Sequence, residues 1–186
     1  VCVDGSCPPA GLGLPYQFQQ YQQGEFVARS RTQYVPNYRL RPDDELEFVF
    51  RIRLELGLRQ KFGPMPRGSI RGFVTAAGGT VEGPRLNGRV VSNSGGDWAT
   101  YRSDHTVEFD ARYMLEADDG TPIYMTNRGY RHAPPDTAAK MEALVPVDSS
   151  QYYMRMTPIF ETPLGKHDWL TRTIIVGSSR SETASR

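Results

Sequence analysis

Apolar residues recur at every second position in several stretches of this chain, and a period of two gives a strand two unlike faces. From Leu46 the series Leu46, Phe48, Phe50, Ile52, Leu54 and Leu56 alternates with Glu45, Glu47, Val49, Arg51, Arg53 and Glu55. This spacing predicts a long amphipathic strand that Gly57 ends or bends, although Glu, Leu and Arg are also good helix formers. Between Gly95 and Arg131 two strand-like segments form a hairpin. In it Val107, Phe109, Ala111, Tyr113 and Leu115 alternate with Thr106, Glu108, Asp110, Arg112 and Met114, and Asp118, Asp119 and Gly120 supply the turn. Gln151 to Phe160 and Trp169 to Gly177 read as two closing strands, and residues 69–75 as a short one.

Between these lie segments of another kind. Residues 76–91 are rich in glycine and proline and predict short strands and tight turns, and residues 132–143, with Pro134 and Pro135, form the one helical or irregular insertion. Many short strands without βα alternation predict an all-β protein, a single antiparallel β-barrel or a sandwich. The boundaries expected are a β-barrel domain over residues 45–178, an N-terminal extension over 1–44 and a polar, disordered tail over 179–186. The extension is rich in Pro, Gly and Gln and shows no continuous apolar face, so it is expected to be poorly ordered and to contribute no strand.

At 186 residues the chain is long enough for one domain with a real core. Its 22 Lys and Arg against 21 Asp and Glu give a net charge of +1, which provides no global field for nucleic acid or anionic membrane. No nucleic-acid partner is expected. No apolar run approaches the ~20 residues that span a bilayer. The chain opens on Val1 without a basic n-region and apolar h-region, so no signal peptide is expected in it, and localisation stays open with the cytoplasm favoured. Cys2 and Cys7 either close a small ring or remain free thiols. Two thiols without further ligands, and three histidines without ligand spacing, point to no metal site; no cofactor motif is present either.

The pieces FVFRIRLEL, PRGSIRGF, GGTVEGPRLNG, GGDW, VEFDARYMLEADDGTPIYMTNRG and TPIFETPLGKHDWLTRTIIVG together resemble the domain-of-unknown-function 3237 family, also called uncharacterised protein family 0311, over residues 46–177. The resemblance implies a compact barrel of lipocalin-like shape without a cofactor; some fungal relatives look like cofactor-free enzymes that close oxygen rings on aromatic polyketides. One departure is His105, which stands where the family has a turn glycine, so a positive φ would strain it by about 1 kcal/mol. A second, local resemblance joins Tyr34–Phe50 to the opening of bacterial polysaccharide-export proteins, with Asp43 in place of a glycine.

Candidate chemistry rests on carboxylates and phenols. Asp97 and Trp98 follow two glycines, so a sharp turn can present an acid beside an indole, or can simply start a strand with Trp98 in the core. Asp110 and Arg112 share one strand face, as a surface ion pair or as part of a site with Asp97 around one cavity. Glu82, in a glycine-flanked turn, is a third candidate acid. Tyr113, Tyr124, Tyr130, Tyr153, Arg155, Trp98 and Trp169 are the candidate ligand contacts, with core packing as the ordinary alternative for each aromatic. His167 is read as a surface histidine. The function expected is binding of a small organic molecule, with acid/base turnover of an aromatic or oxygenated substrate in its catalytic version. A non-catalytic or self-associating barrel, and hence a homo-oligomer, is the alternative, and an envelope-associated fragment a third reading.

Overall fold

A computed structural model describes residues 20–29, 46–143 and 145–183. Its strands are β1 (Gln20–Arg29), β2 (Leu46–Phe62), β3 (Ile70–Glu82), β4 (Gly88–Val90), β5 (Gly96–Asp97), β6 (Thr100–Tyr101), β7 (Thr106–Ala117), β8 (Pro122–His132), β9 (Tyr153–Glu161) and β10 (Ile175–Thr183). Among the described residues the α-helix α1 (Pro135–Glu142) adds little: Pro135 opens it, and Asp136 and Lys140 complement its dipole. Paired strands are antiparallel and the pairings close a ring. β2, β1, β10, β9, β8 and β7 follow one another, the short β4, β5 and β6 each bridge β7 to β3, and β3 returns to β2. The protein is therefore a closed β-barrel with minimal helix, its ring completed between β9 and β10 by the short pairing of Gly177 and Ser178 with Met156 and Arg155.

The long alternation in β2 forms a strand, as its period requires. Phe50, Ile52 and Leu56 are buried inside, and a bulge opposite Phe26 and Val27 lets Val49 bury as well. Gly57 does not end this strand: it runs on to Phe62 against Arg71–Val74 of β3. The glycine-rich stretch after residue 75 likewise belongs to a strand, since β3 reaches Glu82. Gly79 makes this possible, because at φ +143° it lies so close to β2 that a Cβ would sit 2.0 Å from the Arg53 carbonyl oxygen. The β7–β8 hairpin matches the sequence pattern, with Gly120 at φ +82° in its turn.

Three sequence expectations need correction. The stretch read as a strandless extension supplies β1, which is inserted between β2 and β10, and part of the tail read as disordered extends β10 to Thr183. Ladder hydrogen bonds on both edges hold β1, so it needs few apolar side chains of its own. Trp169 precedes β10 in a short 3-10 helix, Asp168–Arg172, where a strand was expected. Cys2, Cys7 and the segment 30–45 lie outside the described residues.

His105 adopts φ 63°, the left-handed conformation suspected from its place in the turn. Asp104 Oδ1 accepts from the Thr106 N–H at 3.0 Å and fixes that turn. Replacing His105 with glycine should relieve the strain and raise stability by about 1 kcal/mol, read as a higher urea midpoint with unchanged slope. An unchanged or lower midpoint would mean that the turn stores no strain.

Candidate functional site

The interior alternation of β2, β3, β7, β8 and β9 does not fill the barrel completely. A cavity of about 160 Å³ remains, walled by Phe26, Ile52, Leu56, Phe73, Val107, Phe109, Ala111, Met154 and Met156. Into this apolar chamber project a few polar groups. Asp97 comes from β5, whose two residues pair with both β3 (Val74) and β7 (Ala111), so the carboxylate is set into the wall. Its Oδ1 accepts from the Asp110 backbone N–H at 2.9 Å. Burial raises its pKa to about 6; that backbone bond opposes the shift, the Asp110 charge adds to it and Arg71 opposes it.

Tyr113 lines the same chamber from β7. Burial first, and the Asp97 charge second, push its phenol well above the ordinary tyrosine range, so it stays protonated. Asn127 of β8 donates its amide to Met156 Sδ at 3.2 Å, and its buried Oδ1 has no hydrogen-bond partner among the described residues. At one end of the chamber stand Arg59 of β2, Tyr101 of β6 and Arg131 of β8. Burial lowers both arginine pKa values, which the neighbouring Tyr101 phenol raises in each, while Arg131 adds its repulsion to Arg59. Both remain charged at neutral pH.

The expectation that Asp97, Asp110 and Arg112 share one cavity is corrected by the pleat of β7. Val107, Ala111 and Tyr113 face inward, so Asp110 and Arg112 face outward, where Arg112 Nε and Arg128 Nη2 each lie 3.3 Å from the Asp110 carboxylate. Glu82 is exposed at the end of β3, away from the cavity. Trp98, Tyr130, Tyr153 and Arg155 line a separate outer groove with Asp110. There the Trp98 ring packs on Phe73 with centroids 4.3 Å apart, and the Arg155 guanidinium lies 5.5 Å from the Tyr153 ring. Tyr124 sits half-buried on the outward set of β8, and Trp169 is half-buried under the Arg85 guanidinium, 4.6 Å from its ring.

Of the candidates, Asp97 and Tyr113 thus meet in the cavity. Arg59, Tyr101, Asn127 and Arg131 were not picked out from the sequence. A signal for two of them exists: Ile123, Met125, Asn127 and Arg131 occupy odd positions of β8, so period two places them on the face that looks inward. His167 is not a surface residue. It is 4% exposed and its Nε2 lies 2.9 Å from Asp119 Oδ2, in a contact that, after the bonds from Thr121, helps hold the Asp119 carboxyl below its usual range.

Closure of the ring and a polar-studded interior define this chain as a β-barrel protein with an internal chamber. Residues 44–185 match the model of the DUF3237 family, described as proteins of unknown function, and the chain belongs to that family. A UPF0311 protein of Rhodopseudomonas palustris is 33% identical over 138 residues, covering 74% of this chain and 89% of its own. The crystal structure of the conserved protein of unknown function RPA1785 from that organism superposes with a TM-score of 0.64 at 27% identity, over 71% of this chain and 95% of the other. A protein of unknown function from Clostridium acetobutylicum gives 0.61 at 27% identity, over 73% and 97%. A hydroalkoxylation enzyme of Penicillium herquei is 25% identical over 133 residues, 72% of each chain. No helix among the described residues is long and apolar enough to cross a membrane.

Proposed function

We propose that this protein holds a small organic molecule inside its barrel, in the manner of a lipocalin-shaped container, and that Asp97 exchanges a proton with it. The observation that carries the reading is the Asp97 carboxyl, set in the wall of an apolar chamber beside the protonated Tyr113, with its pKa raised to about 6. A group near that value is present in both protonation states around neutrality and so can serve as acid or base, while a phenol donor can steady negative charge developing on a substrate oxygen. Proton transfer of this kind calls on no metal or coenzyme. A hydroalkoxylation, the activity named for the Penicillium herquei relative, adds an O–H across a carbon–carbon double bond and requires such a proton transfer. That relative's activity supports an oxygenated substrate here.

The test is nuclear magnetic resonance of the methyl groups of Ala111 and Met154, which line the chamber and not the outer groove. One-ring aromatic compounds should shift both saturably and move the pKa of Asp97. If no compound does so, or if shifts fall only at Tyr130 and Tyr153, the interior is not a binding site. The exposed Trp98, Tyr130 and Tyr153 in the outer groove favour a second reading, self-association through that face. Light scattering that reports a monomer at high concentration would dismiss it.

A further inference from the structure

The charges around the chamber are unequal. Its lining carries the cations Arg59, Lys61 and Arg131 against the single carboxyl of Asp97. Lys61 is already satisfied: Glu142 lies 3.3 Å from its ammonium, which also sits 4.1 Å above the Tyr101 ring. The guanidinium groups of Arg59 and Arg131 make no ion pair or hydrogen bond with any described residue. Two guanidinium groups thus line one opening, Arg131 half-buried and Arg59 at its solvent-exposed rim, and no described carboxylate pairs with either. Glu142 acts on Arg131 only from a distance, since Lys61 holds it. An anion seated at this opening would meet both guanidinium groups at once.

We propose that Arg59 and Arg131 form an anion subsite at the mouth of the chamber, and that the molecule bound inside carries a carboxylate at the end that faces them. Planar guanidinium forks match the two oxygens of a carboxylate, and Tyr101 between them offers a phenol. The apolar body of the ligand occupies the chamber behind. A cavity of roughly 150 Å³ accommodates one benzene ring, so the 160 Å³ here fits a one-ring acid. Asn127 Oδ1 and Asp97 then meet the far side of that ring, where a hydroxyl or an acidic C–H would lie. This inference rests on the reading of the chamber as a ligand site and adds the class of ligand.

Isothermal titration of the intact chain with benzoate and with its neutral isostere benzamide separates the two claims. Benzoate should bind at least about tenfold more tightly than benzamide, with an affinity that falls as salt rises, because one charge-assisted contact accounts for that factor. R59Q, on the rim, and R131Q should each remove most of that preference while benzamide binding stays unchanged; R131K should keep part of it. Should R131Q fail to fold, R59Q and the benzoate to benzamide ratio of the unaltered protein still decide. Equal binding of the two probes, or a benzoate preference that survives both substitutions, overturns the anion subsite and leaves the chamber as a site for neutral molecules. Binding of neither probe overturns both claims.

Discussion

Phe26→Ala should destabilise the protein by about 3–5 kcal/mol, the cost of emptying a buried aromatic site that cannot collapse. Phe26 lies in β1 and is 2% exposed. Its ring centroid is 5.2 Å from that of Phe50 in β2, and it occupies the space over Gly177 of β10, where a Cβ would come within 2.8 Å of Cδ1. One side chain thus ties β1 to both of its neighbours. Chemical denaturation followed by circular dichroism reads the effect, with Phe26→Leu, at about 1–2 kcal/mol, as the control for size. A midpoint unchanged in Phe26→Ala would restore the sequence-based expectation that the N-terminal stretch contributes no strand. Because Phe26 also walls the chamber, the alanine variant should hold larger probes than the unaltered protein does.

Asp97→Asn should make the protein more stable at pH 8 and no more stable at pH 4. The folded-state pKa of about 6 lies above the ordinary aspartate value of about 3.9. Above pH 6 the folded state carries the cost of a buried charge that the unfolded chain does not. As pH falls from 6 toward 4 the folded carboxyl takes up its proton first, so Asp97 raises stability on acidification across that window. Asparagine keeps an oxygen to accept from the Asp110 N–H and never ionises, which removes the pH-dependent cost, on the order of 1–3 kcal/mol at pH 8. Thermal midpoints of both proteins from pH 4 to 8 check it. A gap of constant size at every pH would show that Asp97 titrates as an ordinary surface acid. Where a compound is turned over, the same variant should lose ~10²–10⁴ in rate, the scale of a missing general acid or base.

Residues with a regular period revealed themselves in the sequence. The β7–β8 hairpin follows directly from its alternation and from Gly120, and His105 from a turn that wants glycine. The same period fixed that Asp110 and Arg112 stand together, but not which face of β7 looks inward. That choice depends on closure of the ring, a property of all the strands at once. β1 was hidden for a related reason: a strand flanked on both sides draws its stability from backbone pairing that leaves little trace in hydropathy. Arg59 was missed because Gly57 reads as a strand end, and the register shift between Leu56 and Arg59 that carries β2 past it is a tertiary feature.

The insertion of β1 between β2 and β10 also sets the order of events in synthesis. Gln20 pairs with Thr183, so a segment made early finds one of its two partners only when nearly all the described chain has emerged. Until then β1 can pair with β2 alone, and its other edge stays open while the remaining strands accumulate. Closure by so distant a contact is slow relative to the local hairpins. The nascent protein therefore passes through a curled, open sheet with two adhesive borders, the state most prone to join a second chain at high expression.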